Sequence, residues 1–353
     1  MAFATPITPH VATNMTRPNW GGATSSVDQH LELYTSIVDT KFDYENIFKS
    51  LSTQKSVADR SNTVRMDRLA GGQIRARKAG DDVIPDRILS DKLNIVVEVM
   101  MYTRNHIDYV DDWTAPDYWT EMANNNGTDF ALAYDEAHII RLQKARSWVA
   151  PAHLSNSFYN GLSVNVTLAA PSVGGVALTE AELEANAAAL QQAHGALVNE
   201  LIRRRVPLSD AITLVSTSVY SDLLHSTKLM STEFSLGNGN FAQRRIAEMN
   251  GIPVVESIAF PTSENANHML STAGNSNAFN VTADDLKAQM IVFSKSQSLV
   301  TVNAREWETD LWDDKEHKSY VLDHQAMFTV DVRRPDTVGV ALITRTPKAE
   351  PTP

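Results

Sequence analysis

Apolar residues alternate most regularly near the C-terminal end. Tyr320, Leu322, His324, Ala326, Phe328, Val330 and Val332 take every second position, which places them on one face of a long strand. Residues 338–343 predict another strand. Val64 and Met66 alternate in the same way, as do Leu93, Ile95, Val97, Val99 and Met101, so two strands should flank the polar stretch between them. The run from 212 to 215 reads as a buried strand, followed by a short helix over 219–224. Asn250-Gly251 marks a turn into a strand over 252–257, and Pro253 restricts that strand to an edge, or stands at its beginning.

Helical spacing is clearest where Leu183, Ala187, Leu190, His194, Leu197 and Leu201 follow one another at steps of four and three. Thr179 and Glu182 form a capping box before them, Arg203, Arg204 and Arg205 close the helix, and Pro207 stops it. A longer helix is predicted from about 116 to 146, with Phe130, Ala133, Ala137 and Ile140 on one buried face. Asp112 and Thr114 offer caps, Pro116 suits the first turn, and Arg141, Lys144 and Arg146 match the dipole at the end. It would span roughly 45 Å, with Gly127 as a weak point. Strands and helices follow one another without a regular βαβ alternation, so the fold class is α+β.

Three polar segments stand apart. Residues 1–27 are rich in Thr, Ser, Asn, Pro and Gly and read as a flexible arm. Residues 51–90 carry eight cations and five acids, little apolar content and a Gly71-Gly72 turn, as a long projecting hairpin would. Residues 105–140 carry eight acids and no Lys or Arg. Segments this polar cannot supply their own core. They make sense if each copy of the chain lays them on a neighbour.

Composition narrows the function. With 353 residues, 43% apolar and 21% charged, the chain is globular, of about two domains. The absence of cysteine excludes a disulfide scaffold, a thiol nucleophile and sulfur-ligated metal. The net charge of −11 argues against a general binder of nucleic acid or anionic membrane. No apolar run reaches membrane-spanning length, and residues 1–27 hold one cation, Arg17, and no signal-peptide core. An intracellular protein without a membrane partner is the expectation.

No chemistry emerges from the motifs. There is no phosphate loop, and Gly237-Asn238-Gly239 lacks the third glycine of a dinucleotide fingerprint. The ten histidines are scattered. His317 and His324, seven apart in a region read as extended, should point to opposite faces. His194 reads as a satisfied core histidine, and Glu306, Glu308, Asp310, Asp313 and Asp314 as a solvated face. With no nucleophile elbow either, the expectation is no enzyme, no cofactor and no metal.

The segments His30-Leu31-Glu32-Leu33, Val38-Asp39 with Phe42 and Tyr44, residues 61–68 (SNTVRMDR) and residues 332–340 (VRRPDTVGV) carry a resemblance, as does the acidic stretch around Asp111-Asp112. Their order and spacing over residues 30–344 resemble the major capsid proteins of T7-like tailed bacteriophages. The resemblance implies the HK97-like capsid fold. Its parts would be an N-terminal arm (1–50), an extended loop (51–97), a peripheral domain with a long spine helix (98–177 and 305–344), an axial domain (178–304) and a tail (345–353). It implies self-assembly as hexamers and pentamers into an icosahedral shell around double-stranded DNA, in the virion after assembly in the host cytoplasm. Scaffolding and portal proteins would be partners during assembly, DNA would be held without sequence specificity, and a decoration protein could join. An encapsulin-like nanocompartment shell, and further off a soluble hydrolase, are the alternatives. In this fold the extended loop lies over a neighbour, so Arg65, Arg68, Arg75 and Arg77 are expected to pair across the subunit boundary with Asp111, Asp112, Asp117 and Glu121.

Overall fold

The structure, a computed structural model, describes residues 34–348 apart from 35, 43–44, 59–60, 73, 86, 111–117, 156, 173–175 and 231–245. In chain order its main elements are β1 (Thr53–Ser56), β2 (Thr63–Leu69), β3 (Ser90–Val96), β4 (Met101–Asp108), α1 (Tyr118–Lys144), β5 (Leu162–Ala170), α2 (Glu180–Arg203), β6 (Ala211–Ser216) and α3 (Thr217–Leu223). Then follow β7 (Glu248–Met249), β8 (Ile252–Ser257), β9 (Ala288–Ser294), β10 (Leu299–Asp314), β11 (Ser319–Val332) and β12 (Val338–Pro347). The chain divides into two compact units. The smaller takes in the described part of 1–46 with 100–131 and 305–326, and the larger takes in 47–99, 132–304 and 327–348.

In the smaller unit β11 pairs antiparallel with β4, from Ser319↔Asp108 to Ala326↔Met101. Tyr34, Val38, Ile107, Trp119, Ala123 and Leu322 form its core. Trp307 stacks flat on His324, ring centroids 5.2 Å apart, and Phe130 closes against both rings. Glu306, Glu308 and Asp310 are exposed along β10, as a solvated acidic face should be. His317 lies in the turn after β10, where its Nδ1 meets Asp314 at 2.8 Å, so the opposite-face argument for an extended His317–His324 pair does not apply. Gly127 has a packing role. A Cβ there would sit 2.9 Å from Lys41 Cβ and 3.1 Å from the Val38 carbonyl oxygen, so the helical segment 36–42 can approach α1 only at a glycine.

The larger unit is built on a six-stranded sheet in the order β5-β12-β9-β6-β8-β7. β12 runs parallel to β5 and antiparallel to β9. Every residue of β6 is buried, as the run at 212–215 predicts for a central strand, with Thr213 bonded to His194. Pro253 sits second in β8, where only the two-residue β7 lies beyond it. Helix α2 keeps the predicted capping box: Thr179 N–H donates to Glu182 Oε2 at 2.8 Å, and Glu182 N–H donates to Thr179 Oγ1 at 3.4 Å. Its apolar stripe joins Leu168, Val215, Val292 and Ile343 in one core.

Helix α1 corrects the expectation of a single buried face. It has 27 residues, about 40 Å, and from Phe130 onward it is buried on most sides, Ile139, Leu142 and Gln143 as well as Ala137 and Ile140. The polar residues there are paired instead of solvated. Asp135 accepts the backbone N–H groups of Ile47 at 3.0 Å and Phe48 at 3.3 Å. His138 donates from Nδ1 to the Tyr134 carbonyl, which leaves Nε2 to accept from Thr301 Oγ1 at 2.7 Å, and that hydroxyl in turn meets Ser52 Oγ at 2.6 Å. Burial drives the His138 pKa down to about 3 and the Asp135 pKa up to about 6. Such groups look like a polar face in sequence and act as core once bonded. The proposed caps Asp112 and Thr114 lie outside the described residues.

Candidate assembly surface

The basic stretch forms an antiparallel hairpin. β2 and β3 pair from Thr63↔Val96 to Leu69↔Ser90. Alternation sends Met66 and Arg68 to the buried face and Thr63, Arg65, Asp67 and Leu69 to solvent. The inner face seats Met66, Ile95 and Val97 on Val300 and Val302 of β10. This is the footing of the hairpin on its own chain.

Arg68 completes the footing. Its side chain is only 9% exposed, and it donates from Nε to the Arg333 carbonyl at 2.7 Å and from a terminal nitrogen to the Val332 carbonyl at 2.9 Å. Asp91, across the hairpin, lies 3.7 Å from the guanidinium, and the Trp148 ring lies 5.6 Å below it. Burial lowers its pKa, opposed by Asp331, Asp91 and Asp336. Arg68 therefore fastens the hairpin from within.

Beyond Leu69 the chain leaves the ladder. Gly71-Gly72 do not turn it; Gly71 N–H donates to Ser157 Oγ at 3.1 Å instead. The turn falls at Ala79–Gly80, where Asp81 N–H donates to the Lys78 carbonyl at 3.2 Å and Gly80 has φ +95°. An L side chain would be strained at that φ. Arg77 donates to the Asp81 carbonyl at 2.6 Å. This outer half also carries apolar residues that the count of charges hid. Leu69, Val83, Ile84 and Ile88 are each at least 60% exposed and Ile74 is wholly so. Five large apolar side chains in twenty residues of exposed loop form a patch that a solitary chain has no reason to keep.

The predicted pairing residues are distributed as follows. Arg65, Arg75 and Arg77 are exposed on the hairpin of the larger unit. The contact of Arg65 with Asp67, 4.0 Å and half-exposed, is weak. Glu121 is exposed in the first turn of α1 in the smaller unit, where it lines a cavity of about 380 Å³ with Arg104, Asn105 and Asn126. Asp111, Asp112 and Asp117 lie outside the described residues, as does Gly237-Asn238-Gly239. The loop's apolar patch and the inward place of Arg68 escaped the sequence reading. Strand parity with Val64 and Met66 was the available signal for Arg68.

Among the described residues no group of three or more His, Asp or Glu could hold a metal, and no helix is long and apolar enough to cross a membrane. His194 is buried and fully bonded: the Asn250 amide donates to Nδ1 at 2.9 Å and Nε2 reaches Thr213 Oγ1 at 2.8 Å. It is the satisfied core histidine its place in α2 suggested.

No protein-family model matches the chain, and no curated protein matches it. Solved structures do. The chain is 36% identical to a protein in the mature capsid of bacteriophage PhiM1, over 86% of this chain and 88% of that one, with a TM-score of 0.73. The capsid of cyanophage P-SCSP1u aligns over 85% and 89% at 18% identity and TM-score 0.68. A virus-like particle from Pyrococcus furiosus aligns over 88% and 99%, at 9% identity and TM-score 0.51, and shares the fold alone. An α+β body with a projecting hairpin footed on its own strands, an apolar patch at the outer half of that hairpin and this degree of identity to a phage capsid agree: the chain belongs to the bacteriophage major capsid proteins of HK97-like fold.

Proposed function

We propose that the shell this chain forms is icosahedral, built from hexamers and pentamers, and that it encloses the double-stranded DNA of a T7-like tailed phage. The observation that carries the reading is the outer half of the hairpin, where Ile74, Val83, Ile84 and Ile88 stand exposed beside Arg75 and Arg77. A neighbouring copy would cover them, and repeated interfaces of ordinary size, about 1,600 Å² each, hold a shell by multivalency. Scaffolding and portal proteins would direct assembly in the host cytoplasm, and a decoration protein could bind the finished particle. The net charge of −11 suits a wall that holds DNA loosely and without regard to sequence. The division into an arm, an extended loop (51–97), a peripheral domain and an axial domain belongs to the same proposal.

Within the shell, Arg65, Arg75 and Arg77 of one copy would face Asp111, Asp112, Asp117 and Glu121 of the next, setting register and encounter rate more than affinity. Arg68 is left out of that set because its donors already serve Val332 and Arg333. Negative-stain microscopy and sedimentation of the purified chain test the proposal, which requires closed particles; a monomer under all conditions refutes it. Changing Arg75 and Arg77 to Glu should lower particle yield, with partial recovery when Asp111 and Asp112 become Lys. Normal particles from the loop variant would remove the charge pairing and leave the shell standing.

A further inference from the structure

A cavity of about 470 Å³ opens in the larger unit between the foot of the hairpin, the last turn of α1 and the end of β11. Arg68, Arg141 and Lys144 bring three cations to its wall, and Asp331 is the one carboxylate there. Asp331 is taken by Arg141. Asp91 lies beside Arg68. Asp285, whose charge also acts on Lys144, is taken by Arg146 at 2.8 Å. Lys144 thus makes no ion pair among the described residues. Its pKa is lowered by burial and by Arg141 and Arg146, with Asp285 opposing. Arg141 Nε is buried with no hydrogen-bond partner. A partly dry wall with cations in excess lacks an anion.

We propose that this cavity receives a carboxylate side chain from the acidic block 105–140 of a second copy of this chain. The inference rests on the shell reading above and names a contact within it. Three observations select the occupant. The block has no Lys or Arg and, with Asp135 bonded in the core and Glu136 part-buried, still offers six acids, which complements the wall. The cavity lining includes Val149, which is 71% exposed. An apolar edge suits cover by protein, which excludes water around a central charge; a small free anion gains nothing from it. A nucleic-acid phosphate would bring a like-charged backbone against a chain of net charge −11. The site is separate from the loop cations Arg65, Arg75 and Arg77, so one acidic block would meet two basic surfaces.

The chain has no cysteine, which makes an engineered disulfide unambiguous. Val149→Cys is combined in turn with Cys at Asp108, Asp111, Asp112, Asp117, Glu121 or Asp129, particles are oxidised, and dimers are read on a non-reducing gel. A dimer band at one or more of these positions, together with a particle yield about tenfold lower for Lys144→Glu and unchanged folding by circular dichroism, is the expected result. No band at any of the six positions overturns the proposal whatever Lys144→Glu does. Inorganic phosphate that stabilises the unassembled chain through Lys144, with no crosslink in particles, also overturns it and leaves a free-anion site. If the unsubstituted chain forms no particles at all, the shell reading fails, and this contact with it.

Discussion

Arg68 and Arg333 are 265 positions apart in sequence, yet the guanidinium of one donates to the main-chain carbonyl of the other at 2.7 Å. A second bond, to the Val332 carbonyl, makes the grip two-pronged. Both acceptors lie where β11 ends, so the foot of the hairpin is tied to the end of that strand. Arg68→Ala leaves two carbonyls without their donor, at a cost of about 1–3 kcal/mol each where water cannot reach. Arg68→Lys keeps the charge but loses the fork that reaches two acceptors. Hydrogen exchange should quicken across 63–69 and 90–96 in both variants, more in the alanine variant. Unchanged protection there would show that the apolar footing on Val300 and Val302 alone fixes the hairpin.

The hairpin also shows what the sequence could and could not tell. Alternation at Val64, Met66, Leu93 and Ile95 placed both strands, and the same parity assigned Arg68 to the inner face. Charge alone sets Arg68 with the boundary-pairing cations Arg65, Arg75 and Arg77, because charge carries no strand parity. The carbonyls it serves, 264 and 265 positions away, have no local signature. Helix α2 was legible because its cap, stripe and stop all lie within one short window. Helix α1 was legible in extent and not in burial, because Asp135, His138 and the Gln143 amide nitrogen bond Phe48, Thr301 and Ala288, which only the folded chain brings near. The loop's apolar patch was present in the letters all along, diluted among eight cations.

Gly127 provides a test in which helix propensity and packing oppose each other. Alanine in a helix interior is favoured over glycine by about 1 kcal/mol. Here its Cβ would stand 2.9 Å from Lys41 Cβ and 3.1 Å from the Val38 carbonyl oxygen. Backbone cannot swing away as a side chain can, so overpacking should prevail, at about 1–3 kcal/mol. Chemical denaturation of Gly127→Ala should give a lower midpoint than the unsubstituted chain. A higher midpoint would mean that segment 36–42 shifts freely off α1.

Acid stability follows from buried histidines. Burial lowers the pKa of His138 to about 3 and of His194 and His324 to about 4. The unfolded chain takes up these protons near pH 6.5. Their stabilisation is therefore complete above pH 6.5 and is lost as pH falls toward 3–4. Asp135 acts in the opposite sense: its pKa of about 6, raised by burial from 3.8, gives stability that is complete below pH 3.8 and lost as pH rises through 6. Burial also lowers the His268 pKa and raises that of Glu136, so the histidines outnumber the buried acids and acid is the weaker side. In urea titrations between pH 7 and 4, His138→Gln should flatten the acid limb by up to ~1.4 kcal/mol per pH unit. An unaltered slope would place the linked proton elsewhere.

The exposed apolar loop separates folding from assembly. Ile74 is wholly exposed and Ile84 is 66% exposed, so a charge at either position disturbs nothing inside the chain, and such surface changes usually stay within about 0.5 kcal/mol. In a shell the same side chains would lie beneath a neighbour, where an unpaired carboxylate is expensive to desolvate. Ile74→Asp with Ile84→Asp should leave circular dichroism and the melting temperature unchanged while particles disappear from sedimentation profiles. Ile74→Thr with Ile84→Thr should give an intermediate yield, because hydroxyls lose the apolar contact without introducing a charge. Charge alone would have to carry the contact if the aspartate variant assembled normally, and the Arg75 and Arg77 reversal would then be the more damaging change.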